Sequence, residues 1–427
     1  MATRVVRDAV HGLINLDRFP WLVNLVNARE FQRLRRISQL GTSSATYPGA
    51  THSRFSHSLG VMCVFLQVVD HFQRIGQALG DEEVIVGTCA SLLHDIGHAP
   101  FSHALEQALG GGGHEEWTRK IILSSESDVH GVLCGIDGAL PQKVEEVIAG
   151  TSPLRKVVGL ISSQLDADRM DYLLRDSLHA GVGYGHYDLA RMIFSLEGFD
   201  RDGAIFLSRK AIPLAEQYVV ARYHMYWQVY FHKTTRCVER MLVKCLQLAR
   251  RQEVLPESLS ALASPDPNGS CAAFLGVDES DVMQALKTWA GPSSCPTLRR
   301  LAAGVLCRKL FKAVCITEPE GTMDPRTFDR LIRQGTIAQA VRHHGFDPEF
   351  CLLVDRASDL PYGRYYLTND EAEADKPPIL VDAGQGRQMP LEKASALVRE
   401  MAQPVARGVV YVPPECAQSV REVVASG

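Results

Sequence analysis

Residues 89–103 read CASLLHDIGHAPFSH, an apolar helical run that turns abruptly polar at His94-Asp95. In helical register His94 and His98 stand at i and i+4 on one face. His94 and Asp95 are adjacent and point about 100° apart. Both can therefore reach one ion only at a helix edge where a neighbouring helix approaches. Two flanking stretches supply such neighbours: THSRFSHSLGV at 51–61, with His57, and LDADRMDYLLRD at 165–176, with Asp168. Two imidazoles and two carboxylates suit the first coordination layer of one divalent metal, which can hold a phosphate and acidify a water beside it.

The surrounding chain reads as helix. NAREFQRLRRISQL (27–40) places Phe31, Leu34, Ile37 and Leu40 at helical spacing. Residues 56–79, 82–98, 156–181 and 214–251 are expected as long helices, so residues 1–260 form a mainly α core. Gly110 to Gly113 break the pattern just before His114-Glu115. Residues 200–210 suggest a small hairpin around Asp202-Gly203. After 260 the composition shifts. Ser264 to Ser270 (SPDPNGS) reads as a linker, 261–345 as a helical extension, and 346–427 as a small α+β region built on CLLVD, PPILVD and GVVYVPP. The acidic stretch NDEAEADKPP is expected as an exposed loop, and no internal repeat is visible.

Composition narrows the function classes. A net charge of -4 across 427 residues gives no general attraction to nucleic acid, although local basic clusters can still hold phosphates. The eleven cysteines form no C-x-x-C pair, which argues against a zinc ribbon or a thioredoxin-type site and for a reducing cytoplasm. The opening MATRVVRDAVHG carries charges where a signal peptide needs an apolar core. The longest apolar stretch, around LGVMCVFLQVV, is too short to span a membrane, so no membrane partner is expected. Histidine is concentrated: seven of 15 fall from His52 to His114.

In the order R-F-x-H-S-L-G, H-D-x-G-H-x-P-F-S-H and D-A-D-R-M-D-Y-L-L-R-D, with RVVRDAVHG, FQRLRRISQLG, YHMYWQVYFHK and LCRKLFKAV around them, the sequence resembles the HD-domain deoxynucleoside triphosphate triphosphohydrolases. These include bacterial dNTPases and the catalytic core of the vertebrate SAM- and HD-domain dNTPase. The likeness runs from Arg4 to the C-terminal strands, without a preceding SAM domain, as in the bacterial members. It implies an HD-domain helical core. His57, His94, Asp95 and Asp168 match the metal ligands, for Mn, Fe, Ni, Co or Mg, with additional Mg accompanying the nucleotide. His98, His103 and His114 match histidines on the phosphate and leaving-group side; His103 and His114 are the expected proton donors, with Glu115 in support. Arg54, Arg169, Arg222 and Lys233 match basic residues of the pocket. Gln39, Tyr172, Asp176 and Tyr230 match the deoxyribose surroundings, and Leu40 matches the position that crowds a ribose 2′-hydroxyl.

The resemblance further implies cleavage of dNTP to deoxynucleoside and inorganic triphosphate, an activator nucleotide bound between subunits, and a dimer or tetramer. Arg4, Val5, Gln32, Arg35 and Arg308 match parts of that regulatory site. Asn27 stands where the vertebrate enzyme reads guanine with an aspartate, and a neutral amide cannot accept from both guanine N–H donors. Phe231 replaces an active-site glutamine. From the residues alone, spacing reaches only as far as phosphate-ester hydrolysis by a metal. The rivals are an HD-domain phosphatase acting on mono- or diphosphorylated nucleotides and a non-catalytic nucleotide sensor.

Overall fold

A computed structural model describes residues 4–101, 103–110, 113–260, 262, 271–317, 323–359, 378–401 and 405–426. The fold is mainly α, with three small sheets at its margins. Its centre is the helix Arg54–Arg74, buried on nearly all sides from Phe55 to Phe72. An all-round apolar helix is stable only inside a protein. Two helices pack against it, Asp81–Leu93 and Ala167–Ala180. Gly87 makes the first contact close, since a Cβ there would lie 2.1 Å from Phe65 Cζ. By length and composition Arg54–Arg74 could cross a membrane, but 78% of its apolar window is buried inside the protein.

Several expected helices are shorter than their periodicity. Residues 82–98 stop being helical at Leu93, and His94 to Gly97 form a turn in which the His98 N–H bonds the Asp95 carbonyl. Gly97 sets that break. It lies so close to the helix His114–Leu123 that a Cβ would sit 2.2 Å from Thr118 N and 2.3 Å from the His114 carbonyl. His94 and His98 are thus not on one helix face, as their spacing suggested. Residues 156–181 split into Arg155–Ile161 and Ala167–Ala180 because Asp166 caps the second helix, accepting from Arg169 N at 2.8 Å. Residues 214–251 split into Ile212–Met225, a π-helical turn Tyr226–Tyr230, and Lys233–Arg251, the last capped by His232.

The sheets tie the ends of the chain together. An N-terminal hairpin pairs Val5–Asp8 with Gly12–Asn15. Leu196–Phe199 and Ile205–Leu207 form the hairpin read around Asp202-Gly203 and join Leu380–Gly384 and Arg387–Pro390 in one sheet. Val405–Val412 lies between Lys312–Ile316 and Leu353–Asp359, antiparallel to both. Lys312–Ile316 falls in the stretch read as purely helical. Sheets therefore run across the boundaries drawn at 260 and 345. Asp355 anchors the third sheet to the helical core through Arg236 Nη2 at 2.7 Å and Arg240 Nε at 2.9 Å. The linker at 264–270, Gly111-Gly112 and the acidic stretch up to 377 lie outside the described residues.

Candidate metal centre and its surroundings

Three helix ends meet at one place: the start of Arg54–Arg74, the end of Asp81–Leu93 and the start of Ala167–Ala180. They bring His57, His94 and Asp168 together with ligand atoms all within 4.8 Å of one another. Asp168 Oδ1 lies 3.0 Å from His57 Nε2 and 3.7 Å from His94 Nε2. Asp95 closes the fourth side, with Oδ1 3.5 Å from His94 Nε2 and Oδ2 3.8 Å from His57 Nε2.

Hydrogen bonds fix how each imidazole presents itself. His57 Nδ1 donates to Asp171 Oδ2 at 2.8 Å, and His94 Nδ1 donates to the Ser91 carbonyl at 3.0 Å. Both rings therefore turn Nε2 toward the carboxylates, the arrangement in which a metal-ligating histidine is held by its other nitrogen. His94 Nε2 is buried without a hydrogen-bond partner. Two neutral imidazoles, two carboxylates and an orphaned buried nitrogen fit one divalent cation. In the absence of such a charge, burial opposes protonation of His57, but Asp168 and Asp171 outweigh it and push its pKa up to about 10.

A second group lies beside the first. The His98 ring stacks on the His114 ring, with centroids 4.1 Å apart and planes within 10°. His98 Nε2 is 3.2 Å from Asp95 Oδ1, and His114 Nδ1 is 3.5 Å from Glu106 Oε1. The two rings have opposite tendencies. Burial, then Arg54 and His114, hold His98 well below the usual imidazole pKa, whereas Glu106 outweighs burial and raises His114. Glu115, expected to support His114, is exposed, and Glu106 stands in its place. His103 begins the helix His103–Leu109, but its side chain lies outside the described residues.

The expected basic residues divide. Arg54 is buried and paired with Asp95. Arg169 bonds the Ser163 carbonyl at 2.6 Å and pairs with Asp166, and Arg222 bonds Gln164 Oε1 at 2.6 Å, so both brace the turn before Ala167–Ala180. Lys233 is exposed at the start of its helix. Of the residues expected around a sugar, Asp176 accepts from His52 Nε2 at 2.7 Å and from the Tyr230 hydroxyl at 2.8 Å, and the Tyr172 and Tyr226 hydroxyls are 3.5 Å apart. Gln39 donates its backbone N–H to the His52 carbonyl, its side-chain Oε1 is buried without a partner, and Leu40 packs half-buried on the core.

The residues read as regulatory are exposed, apart from half-buried Gln32. Arg4 and Val5 are exposed where the N-terminal hairpin begins, and Asn27 is exposed at the end of Leu22–Asn27. Gln32 Oε1 accepts from Arg35 Nε at 2.8 Å. Arg308 bonds the Ala45 carbonyl and lines a basic cavity of about 590 Å³ with Arg299, Arg300, Lys309 and Lys312.

Asp171, His11, Arg175, Asp8 and Glu106 were not singled out by sequence. Asp171 could have been found as the position three residues after Asp168, one turn along the same helix face.

Two family models match the chain: the HD domain over residues 54–149 and the HD associated region over 187–355. Bacillus subtilis has an uncharacterized protein, YwfO, 36% identical over 93% of this chain and 89% of its own length. A Dictyostelium discoideum protein, described as a deoxynucleoside triphosphate triphosphohydrolase SAMHD1 homolog, is 31% identical over 73% of this chain, which spans 60% of that relative. The crystal structure of a phosphohydrolase from Bacteroides thetaiotaomicron superposes with a TM-score of 0.79 at 28% identity, covering 96% of this chain and all of that one.

Proposed function

This chain belongs to the HD-domain phosphohydrolase family that includes the SAMHD1-type dNTPases, and from that premise we propose that it cleaves dNTPs to deoxynucleoside and inorganic triphosphate. The observation that carries the proposal is the adjacency of the His57–His94–Asp95–Asp168 group to the stacked His98–His114 pair through one shared carboxylate, Asp95.

His57, His94, Asp95 and Asp168 are the residues that would hold the ion. A divalent metal, when bound, supplies charge neutralisation at the phosphate and acidifies water. The remaining chemistry belongs to the chain. Arg54, seated on Asp95, puts a guanidinium at the edge of the site, where a polyphosphate needs cations beyond the metal. His114, whose pKa Glu106 raises against burial, is suited to protonate the 5′-oxygen of the deoxynucleoside as the bond from it to the α-phosphorus breaks. His98, held neutral, is suited to accept from or orient the same group. Asp176, Tyr230, Tyr172 and Gln39 offer polar atoms for a sugar. The long-phosphate reading is favoured over a monophosphate phosphatase by the Dictyostelium relative.

Glu106→Gln gives a direct check on His114. Removing the carboxylate removes what raises the His114 pKa, so the imidazolium gives up its proton at lower pH. The alkaline limb of the kcat–pH profile is expected to move to lower pH while the acidic limb stays; an unmoved profile would take His114 out of the proton-donor role.

Regulation by a second nucleotide is part of the same proposal. The basic cavity at Arg308 and the exposed Arg4, Asn27 and Arg35 support it, and a dimer or tetramer would bring such surfaces together. The eleven cysteines, all without disulfides, fit a reducing cytoplasm. The test of the whole reading is an assay of all four dNTPs and the matching ribonucleotides with Mn²⁺, Mg²⁺, Co²⁺, Ni²⁺ and Fe²⁺, each with and without a second nucleotide. Hydrolysis of dNTPs alone, dependent on metal, is expected. Turnover confined to mono- or diphosphates would contradict it.

A further inference from the structure

The Asp171 carboxylate is saturated with buried donors. Oδ2 accepts from His57 Nδ1 and from Arg175 Nε, each at 2.8 Å. Oδ1 accepts from Arg175 Nη2 at 2.9 Å and from His11 Nε2 at 2.6 Å. Two of these donors lead to the N-terminal hairpin. His11 sits in its turn, and Arg175 is held on its other side by Asp8, with Nη1–Oδ2 at 2.8 Å and Nη2–Oδ1 at 3.1 Å. Asp8 also builds the turn, accepting the backbone N–H groups of Val10 and His11 at 2.9 Å each, which sets where the His11 ring points. Gly60 leaves room for the cluster: a Cβ there would lie 1.9 Å from Asp171 Oδ1.

The hairpin has two unlike faces. Asp8 and Ile14 point inward and are buried, while Val5 and Leu13 point outward, 47% and 58% exposed. Two strands alone are marginal in water. The ion-pair cluster and Ile14 are what seat these two on the helical core.

We infer that Asp8 and His11 are positioning residues for the metal centre: through Asp171 and Arg175 they fix the orientation of His57, so the hairpin is a clasp whose polar contacts, and not its apolar packing, set metal affinity. The inference rests on the metal-site reading above and goes beyond it, because it assigns control of the centre to a segment that touches no ligand of the metal. The physical reason is geometric. A carboxylate with donors on both oxygens cannot rotate without losing one of them, and His57 turns only if Asp171 turns. The carboxylate behind a ligating imidazole carries about ten- to a hundredfold in metal affinity.

The test uses the full chain and Mn²⁺ as the probe. Asp8→Asn and His11→Leu remove the relay at two points, His11→Gln keeps an N–H donor toward Asp171, and Ile14→Ala loosens the hairpin by packing alone. Mn²⁺ dissociation constants come from calorimetric titration, and Tm is measured on metal-free protein. Asp8→Asn and His11→Leu are expected to weaken Mn²⁺ about tenfold or more. His11→Gln recovers most of that loss, and Ile14→Ala lowers Tm without changing the Mn²⁺ constant. Combining Asp8→Asn with Asp171→Asn adds little to Asp171→Asn alone, because the effects share one path. Wild-type affinity in His11→Leu and Asp8→Asn, or a loss in Ile14→Ala as large as theirs, would overturn the inference while leaving the metal site standing. A wild-type chain that binds no Mn²⁺ would overturn the site reading and the clasp with it.

Discussion

Asp168→Ala is expected to remove metal binding and to lower hydrolysis by about three orders of magnitude or more. Asp168 Oδ1 lies 3.0 Å from His57 Nε2 and 3.7 Å from His94 Nε2, and the residue sits in the first turn of Ala167–Ala180. Without it, two imidazoles face one remaining carboxylate, Asp95, which is already engaged by Arg54 and His98. A metal contributes several kcal/mol of charge stabilisation at a phosphoryl transition state, and about 1.4 kcal/mol is a tenfold rate change. The fold should survive. Asp168 is half-buried, and the start of its helix is held by the Asp166 cap, which Asp168→Ala leaves in place. The comparison to make is metal content by elemental analysis, rate, and far-UV circular dichroism on the same preparation. A variant that retains stoichiometric metal would place the ligand set elsewhere.

Asp171→Asn has a different expected signature, because it damages stability and the metal centre together. Asn offers one oxygen where four donors now converge, and its amide N–H₂ faces donors. Arg175, fully buried, keeps only Asp8 as counter-charge. Removing one partner of a buried ion pair costs about 3–5 kcal/mol, and loss of the carboxylate behind His57 weakens metal binding about ten- to a hundredfold. Urea denaturation of the metal-free protein reads the first effect and Mn²⁺ titration reads the second. A stability change below about 1 kcal/mol, the scale of an exposed pair, would mean that the cluster is not the keystone described here.

The helical core and the group of histidines and aspartates could be read from the sequence because both depend on local pattern: apolar periodicity for the helices, and residue types rare at such density for the site. The breaks could not. Gly97 ends a helix because of its approach to Thr118, Asp166 ends another through a cap, and the π turn at Tyr226–Tyr230 interrupts an unbroken helical pattern. All are tertiary or single-residue effects that leave periodicity intact. The run DADRMDYLLRD shows the same limit for the site. Asp166, Asp168, Asp171 and Asp176 look alike in sequence. In three dimensions one caps a helix, one faces the candidate metal centre, one holds His57, and one joins His52 to Tyr230. Glu106 pairs with His114 from the preceding helix, whereas nearness in sequence pointed to Glu115. The strand Lys312–Ile316 was missed because its partner, Val405–Val412, is far along the chain.

The proposed reaction releases the whole triphosphate from a deoxynucleoside triphosphate. Phosphorus NMR of the Mn²⁺-loaded full chain incubated with each dNTP tests it most directly, with deoxynucleoside followed by chromatography. Inorganic triphosphate and deoxynucleoside are expected in equal amounts, with no orthophosphate. Orthophosphate appearing first, with deoxynucleoside diphosphate or monophosphate left behind, would contradict it.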